Sequence, residues 1–193
     1  LGVEIYPGFS AAEVLFDENR QVKGVATGDM GVSKEGLAKD SWESGMELHA
    51  KYTLFSEGTR GSLSKFLIDN FSLSEDSDYQ KYAIGLKELW EIKEENFTDG
   101  LVEHSMGWPL TDETNGGSFL YHFDKNLVSI GYVIHLNYTN PYVSPFDEFQ
   151  QFKTHPSVKK VLKGGKRISY GARAITTGGY QSVPKLYFPG GAL

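Results

Sequence analysis

The chain has 193 residues, and its 19 Lys and Arg against 25 Asp and Glu give a formal net charge of −6, with no basic patch of interleaved aromatic residues that would indicate a nucleic-acid partner. It contains no cysteine, which excludes disulfides, thiolate metal sites, cysteine nucleophiles and iron–sulfur ligands within this chain. No apolar run approaches the roughly 18 residues that a membrane helix needs.

The first third of the chain predicts short strands followed by one helix. Strand-like runs occupy residues 3–6, 11–16, 22–27 and 47–55. Residues 17–20 are a polar turn, which predicts a hairpin between the second and third runs, and residues 28–45 read as a polar hairpin extension or loop. Residues 62–71 place apolar side chains at helical spacing. The last strand, its glycine-containing turn and this helix therefore form a predicted βα unit.

The polar segment 72–78 predicts a domain boundary, because the pattern changes after it. Strand-like runs at residues 82–90, 102–106, 117–123 and 127–136 follow one another with short turns, as is typical of an antiparallel sheet. Phe146, Phe149 and Phe152 recur at three-residue steps and predict a short amphipathic helix over residues 145–155, which residues 158–162 extend. Further strands are predicted at residues 167–175 and 187–188.

The first motif of interest is "LFSEGTRGSLSKFL", at the junction of the predicted strand and helix. Backbone N–H groups at a glycine turn and at a helix N-terminus suit a phosphate or a flat cofactor. Glu57, Gly58 and Gly61 are the candidate cofactor-binding residues of this turn. The alternative is an ordinary βα turn, since a complete G-x-G-x-x-G fingerprint is absent.

The second motif is "GWPLTDETNGGSFLYH", where two glycines open a predicted strand. Glycine at the head of a strand marks a bulge, a turn or a close approach to the backbone. Trp108 and Pro109, together with Gly116 and Gly117, predict an apolar pocket with access to the backbone for a flat ring. The alternative is a hairpin loop with a packed aromatic face.

The remaining polar residues nominate no catalytic group and no metal site. The five histidines are dispersed without an H-E-x-x-H pattern, and His49 and His122 are predicted to be hydrogen-bonded structural residues. No G-x-S-x-G elbow is present. The basic run at residues 163–167 lacks the Ser or Thr and the upstream glycine of a P-loop, so a turn is predicted there.

With these motifs in view, the chain resembles the electron-transfer flavoprotein–ubiquinone oxidoreductase family. The resemblance is carried, in order along nearly the whole chain, by "LGVEIYPGFSAAEVLF", "FSEGTRGSLSKFL", "IGLKELWEI", "GWPL", "GGSFLYH", "NPYVSPFDEFQQFKTHPS", "GGKRISYGARA" and "GGYQSVPKLYFPGGAL". It implies an α+β fold. Residues 1–77 would be the middle of a glutathione-reductase-like FAD-binding domain, residues 78–174 an antiparallel quinone-binding domain with a short helix, and residues 175–193 the return strand.

The resemblance also implies a function for the longer protein from which this chain is expected to be an internal piece. Members of the family bind FAD and a [4Fe–4S] cluster, accept electrons from reduced electron-transfer flavoprotein and pass them to ubiquinone. They work at a membrane face, the inner mitochondrial membrane in a eukaryote or the cytoplasmic membrane in a bacterium. The quinone-binding residues implied here are Gly116, Gly117, Ser118, Phe119, Trp108 and Pro109.

Two alternatives to this function stay open from the sequence. One is a related flavoprotein reductase that acts on an isoprenoid lipid. The other is a non-catalytic folded module, since the main dinucleotide fingerprint and the cluster cysteines are absent from this chain. The isolated chain is therefore expected to be inactive and to hold no stable FAD.

Overall fold

The computed structural model describes residues 2–193 and divides into two compact units. The first unit contains the chain up to Asp78 together with Val183–Leu193, and the second contains Tyr79–Ser182. The strands in chain order are β1 (Ala11–Phe16), β2 (Val22–Thr27), β3 (Met30–Val32), β4 (Ala38–Glu43), β5 (Glu47–His49), β6 (Thr53–Leu54), β7 (Tyr82–Glu91), β8 (Val102–Met106), β9 (Gly116–Phe123), β10 (Leu127–His135), β11 (Lys166–Thr176), β12 (Tyr187–Phe188) and β13 (Gly191–Ala192). The helices are α1 (Ser62–Asn70), α2 (Pro145–Phe152) and α3 (Pro156–Leu162), with short 3-10 turns at Glu94–Asn96 and Tyr180–Ser182.

The first unit is built on the predicted hairpin of β1 and β2. The Asp17 carboxylate accepts hydrogen bonds from the backbone N–H groups of Asn19 and Gln21, at 2.9 and 2.8 Å, which fixes the polar turn. Strand β5 pairs with the free side of β2, and β3 with β4 forms a separate ribbon. The hairpin extension predicted for residues 28–45 is therefore confirmed.

Helix α1 forms where the apolar spacing predicts it. Leu63 and Leu67 are buried, and they pack in one cluster with Val14 of β1, Val22 of β2 and Phe188 of β12. The helix ends at Asn70, and the N–H of Phe71 still donates to the carbonyl of Leu67. A one-sided apolar stripe is thus enough to hold this short helix against the strands of its own unit.

Two strand predictions in this unit are wrong. Residues 3–6 form no strand, and Val3 and Ile5 are 76% and 82% exposed, because a short apolar run is not stable as a strand without a partner. The run at residues 47–55 divides into two strands in different sheets. Strand β5 pairs antiparallel with β2, whereas β6 pairs parallel with β13, so the chain must bend between them.

The second unit is a five-stranded antiparallel sheet in the order β11-β7-β10-β9-β8. Helices α2 and α3 cover one of its faces. The core on this covered face joins sheet residues to the helices, with Leu120, Val128, Ile130, Tyr132 and Ile134 packed against Phe149, Phe152, Val158 and Leu162. The helical prediction from the spaced phenylalanines is confirmed, although α2 ends at Phe152 and α3 begins at Pro156.

A buried carboxylate ties the sheet to helix α2 on the covered face. Both oxygens of Glu88 accept hydrogen bonds from Lys153 Nζ at 2.9 Å, and Trp90 Nε1 and Arg167 Nη1 donate at 2.8 and 3.1 Å. Burial by itself would raise the pKa of Glu88, but these hydrogen bonds outweigh it and lower the pKa below the ordinary value of 4.5. The paired charge thus fixes where α2 lies on β7.

The alternate sheet residues form the opposite face, here called the outer face. On β9 these are Gly117, Phe119 and Tyr121, and on β10 they include Gly131 and Val133, each directly opposite a β9 residue: Val133 faces Gly117, and Gly131 faces Phe119. Most of them are only partly buried. Of the two glycines at the start of β9, Gly117 therefore lies on the outer face, whereas Gly116, opposite Ile134, lies on the covered face.

The chain leaves the second unit later than the sequence predicts. Strand β11 continues to Thr176, and the segment after it stays attached: Gly178 N donates to Gln80 Oε1 at 2.8 Å, and Ser182 Oγ donates to the carbonyl of Tyr79 at 3.0 Å. The return to the first unit comes at Val183, where a return at residue 175 was predicted. Mostly antiparallel sheets with few helices make up the described chain, which is consistent with the predicted α+β class.

Candidate functional site

The glycine pair lies inside a strand and not in a turn. Gly116 and Gly117 are the first two residues of β9, and neither has a positive φ, so the hairpin-loop explanation for these glycines is wrong. A Cβ on Gly117 would lie 2.5 Å from the carbonyl oxygen of Ser105 on β8. One on Gly116 would lie 2.3 Å from Leu110 Cδ1 and 2.5 Å from the Val133 carbonyl oxygen. Close approach of neighbouring chain segments therefore already requires glycine at both positions.

A cavity of about 750 Å³ opens beside this pair, entirely within the second unit. Its lining comes from the end of β8, the loop that follows it, the start of β9 and the end of β10: His104, Ser105, Met106, Gly107, Thr111, Asp112, Thr114, Asn115, Gly116, Gly117, Ser118, Phe119, Val133 and His135. We call it the glycine cavity. Its volume is in the range of small-molecule sites, and it combines a few apolar walls with polar groups on its rim.

Beside this cavity, the Phe119 ring packs over another glycine, Gly131 of β10. A Cβ on Gly131 would lie 2.2 Å from Cζ of Phe119, so the Phe119 ring lies directly over the β10 backbone. The same ring stacks on Tyr121, with centroids 5.7 Å apart and planes at 24°. The absence of a side chain at Gly131 is thus what lets Phe119 lie flat on the outer face.

The loop between β8 and β9, which forms the rim of the cavity, is held at both ends by hydrogen bonds to β10. Tyr132 is fully buried on the covered face, and its hydroxyl donates to the carbonyl of Gly107 at 2.7 Å. Burial raises the pKa of Tyr132 to about 12. The backbone of His135 donates to the carbonyl of Asn115 at 2.9 Å, which holds the other end of the loop on β10. Both ends of the rim are therefore fixed to the central strand.

The predicted quinone-binding residues do not all meet in the glycine cavity. Gly116, Gly117, Ser118 and Phe119 line it, whereas Trp108 lines a smaller cavity of about 210 Å³ together with Phe152, His155 and Val158. The Trp108 and His155 rings lie 5.3 Å apart there. Ser118 borders both cavities, and its hydroxyl is 2.6 Å from that of Ser105. Pro109 is joined to Trp108 by a cis peptide bond and lines neither cavity.

At the turn before α1, Glu57 already occupies the helix N-terminus. Its carboxylate accepts hydrogen bonds from the N–H and the hydroxyl of Ser64, at 2.6 and 2.7 Å, and a longer one from the N–H of Leu63 at 3.4 Å. Burial would raise the pKa of Glu57, but these hydrogen bonds lower it overall. A Cβ on Gly61 would lie 2.2 Å from Cβ of Glu57, so Gly61 makes room for this cap. Gly58, with φ +77, has open space around it.

This geometry tests the turn as a flavin-phosphate site. The N–H groups that a phosphate would use at α1 are those that Glu57 has taken. A second anion does not fit at the same donors. What the turn still offers to a cofactor is close approach to the backbone at Gly58, where no side chain intervenes.

The predicted structural histidines have hydrogen-bond partners, as expected. The N–H of Thr98 donates to Nδ1 of the buried His122 at 3.1 Å, and His49 Nε2 lies 2.6 Å from Glu47 Oε2. Among residues 2–193, no group of three or more His, Asp or Glu side chains is placed to hold a metal ion. Within the same described range, no helix is both long enough and apolar enough to cross a membrane.

Comparison with known proteins identifies the family. The family model described as "ETF-QO, ubiquinone-binding" matches residues 82–175, which fall within the second unit. A Pseudomonas aeruginosa protein named electron transfer flavoprotein-ubiquinone oxidoreductase is 57% identical over the whole of this chain. The mitochondrial protein of that name from Homo sapiens is 56% identical, again over the whole chain. The chain belongs to the electron transfer flavoprotein-ubiquinone oxidoreductase family.

The match is to a part of these family members. The chain covers 35% of the Pseudomonas protein and 32% of the human one, so it spans about a third of their length. Among solved structures, a triple mutant of a flavin-dependent brominase has a TM-score of 0.52 over 99% of this chain and 44% of its own, at 15% identity. At that identity the likeness concerns the fold alone.

Sequence reasoning missed the polar rim of the glycine cavity. His104 and His135 were treated as dispersed residues, and Asp112 was not considered. The two histidines are 31 positions apart in sequence, and only the β8–β9–β10 register brings them to one cavity. The available signal was the strand alternation, which puts His104 on the same face as Phe119 once β8 is paired with β9.

Proposed function

We propose that the full-length protein containing this chain is an oxidoreductase that passes electrons from reduced electron-transfer flavoprotein to ubiquinone. We further propose that the glycine cavity holds the quinone ring. The names of the relatives support the reaction, and the ubiquinone-binding family model covers every residue that lines the cavity. The single observation that carries the site is a cavity of about 750 Å³ at Gly116 and Gly117.

The cavity suits a flat ring with two polar ends. Phe119 and Val133 supply apolar walls, and the β9 backbone at Gly117 approaches without a side chain. Ser118, with a hydroxyl, borders the same space. Such a mixture of apolar surface and a few polar groups is typical of sites for small organic ligands.

The cofactors belong to the same proposal for the full-length protein. A bound FAD supplies the electron transfer between the flavoprotein partner and the quinone, and in this chain the open backbone at Gly58 is the position we propose to approach it. We propose that Glu57 and Gly61 shape this turn without contacting the flavin phosphates. This chain offers a [4Fe–4S] cluster no thiolate ligand, because it contains no cysteine.

We propose that the full-length protein works at a membrane surface where ubiquinone resides. This is the inner mitochondrial membrane in a eukaryote and the cytoplasmic membrane in a bacterium. We propose that the isolated chain has no turnover and binds no stable FAD. The visible absorbance of the purified chain measures its flavin content directly. A stoichiometric flavin spectrum would contradict this part of the proposal.

The quinone site is tested by filling the cavity from Val133, a half-buried residue of its lining. Substitution of Gly117 is unsuitable, because the clash with Ser105 would disturb the sheet in any case. Val133→Phe instead adds bulk beside Gly117 from the outer face of β10. In the full-length enzyme we expect quinone reduction to fall about tenfold or more, which corresponds to roughly 1.4 kcal/mol, while flavin reduction by the partner flavoprotein is retained.

A matched control is Val102→Phe, on the same face but outside the cavity. Val102 is 58% exposed on β8 and lies opposite Tyr121. It should leave both half-reactions unchanged. Unchanged quinone reduction in Val133→Phe would place the quinone elsewhere. Equal loss of both half-reactions, with a lowered melting temperature, would show that the variant damages the fold. Thr111→Trp, in the loop between β8 and β9, would then fill the cavity from outside the sheet and test the site again.

A further inference from the structure

Two histidines occupy opposite corners of the glycine cavity. On β8, Met106 is directly opposite Gly117, and His104 lies two residues before it on the same face. On β10, Val133 is opposite Gly117, and His135 lies two residues after it. Both histidines line the cavity. Diagonal neighbours across antiparallel strands lie about 7–8 Å apart, so each imidazole can reach a ring placed against Gly117 from its own side.

The placement is diagonal in both directions. His104 on β8 lies opposite Phe119, two residues after Gly117, and His135 on β10 lies beside Asn115, two residues before it. A line between the two histidines therefore crosses β9 at Gly117. The position of His135 is fixed by its backbone hydrogen bond to Asn115 at 2.9 Å. His104 is exposed, and His135 is half-buried. The remaining titratable side chain that lines this cavity is Asp112, on the rim loop.

The chemistry of the proposed substrate requires two protons as well as two electrons. A quinone carries two carbonyl oxygens at opposite ends of its ring, and reduction to the quinol converts each C=O into C–OH. Imidazole is the side chain best suited to exchange a proton near neutral pH. A cavity that held a quinone but supplied no proton donor would have to admit water at both ends of the ring.

We propose that His104 and His135 are the proton donors for quinone reduction, one at each carbonyl oxygen. This inference rests on the proposed function. For each oxygen, the imidazolium N–H bond breaks as the O–H bond forms, while the two electrons come from the cofactors of the full-length enzyme. The neutral imidazoles then take up protons again from solvent, to which His104 is exposed directly and His135 in part.

The test compares an acceptor that takes up protons with one that does not. The single variants His104→Gln and His135→Gln and the double variant are made in the full-length enzyme. Turnover is measured with a short-tailed ubiquinone analogue and with ferricyanide, which accepts an electron without a proton. General acid catalysis contributes about 10²–10⁴-fold, so we expect kcat for the quinone to fall roughly 100-fold in the double variant. KM for the quinone and turnover with ferricyanide should stay within about twofold, and added imidazole should restore part of kcat.

His49→Gln serves as the matched control, because His49 is an exposed histidine of the first unit. It should leave both acceptors unaffected. Retention of quinone kcat in the double variant, or an equal loss with ferricyanide, would overturn the proposal. Val133→Phe separates this from failure of the quinone site. If Val133→Phe blocks quinone reduction and the double histidine variant does not, the site stands and the proton donors are wrong. If neither has an effect, the quinone site itself is wrong.

Discussion

Adding one methyl group at Gly131 should measure how tightly the Phe119 ring packs on β10 beside the glycine cavity. The new Cβ would lie 2.2 Å from Cζ and 2.3 Å from Cε1 of Phe119, and 3.0 Å from the carbonyl oxygen of Leu86. Non-bonded carbon atoms prefer a separation of about 3.5–4.0 Å, so the Phe119 ring must move away by roughly 1 Å or more. That movement breaks its stacking on Tyr121, which is worth about 0.5–1.5 kcal/mol. We expect Gly131→Ala to lower the free energy of unfolding by about 1–3 kcal/mol.

Gly171 provides the matched control in the same cross-strand row. It lies on the edge strand β11 opposite Lys87, which in turn lies opposite Gly131, and a Cβ there would meet nothing within 4 Å. Gly171→Ala should be neutral or stabilising by about 0.4–1 kcal/mol, because it restricts the unfolded chain. Urea and thermal unfolding of the chain measure both variants. A loss of 1 kcal/mol lowers the melting temperature by about 4–8 °C in a domain of roughly 100 residues, which is the size of the second unit.

A double-mutant cycle with Phe119→Ala isolates the cause. If the ring is what the new methyl group meets, Gly131→Ala should cost much less in the Phe119→Ala background, with a coupling of about 0.5–3 kcal/mol. Equal effects of Gly131→Ala and Gly171→Ala would refute the packing argument. An undiminished cost in the Phe119→Ala background would assign the strain to the Leu86 carbonyl instead.

Three further variants test other parts of the structure. Glu88→Gln leaves Lys153 without its buried partner and should cost about 3 kcal/mol in urea unfolding at neutral pH. Because the pKa of Glu88 is lowered by folding, this contribution is complete above pH 4.5 and is lost as the pH falls through the lowered pKa, so the difference from wild type should shrink in acid. Glu57→Ala removes the cap on Ser64 and should cost about 1 kcal/mol, with amide exchange accelerated in the first turn of α1. Tyr132→Phe leaves the Gly107 carbonyl without its donor and should cost about 1–3 kcal/mol, and ultraviolet titration should show one tyrosine fewer ionising near pH 12.

The sequence was most informative where an element is stabilised by its own pattern. Strand β10 and helix α1 lie within one residue of their predicted positions, since their apolar residues pack against a core. Strand β8 also lies at its predicted position, although all five of its residues are exposed and only its pairing with β9 holds it. The sequence failed where pairing partners decide. Residues 47–55 read as one continuous strand, yet they divide because β5 and β6 pair with different strands. Strand β13 has only two residues and is too short to leave a pattern in the sequence.

For the candidate site, the glycine pair was found from the sequence but its cause was not. The sequence indicated a turn or a close approach by a ligand, and the structure shows that a neighbouring strand makes the close approach, through the Ser105 carbonyl beside Gly117. That contact depends on strand register, which no single segment encodes. The same holds for His104 and His135, which the register alone brings to one cavity.

The glycines beside the cavity limit how this protein can diverge. At Gly116, Gly117 and Gly131, any side chain would meet a carbonyl oxygen or a packed residue at 2.2–2.5 Å, so natural variation cannot reshape this surface one residue at a time. The rim loop between β8 and β9 is under no such restriction at Thr111 and Asp112, which line the cavity from a segment outside the sheet ladder. Relatives that differ in the molecule they accept should therefore differ first in that loop, while the glycines persist unchanged beneath it.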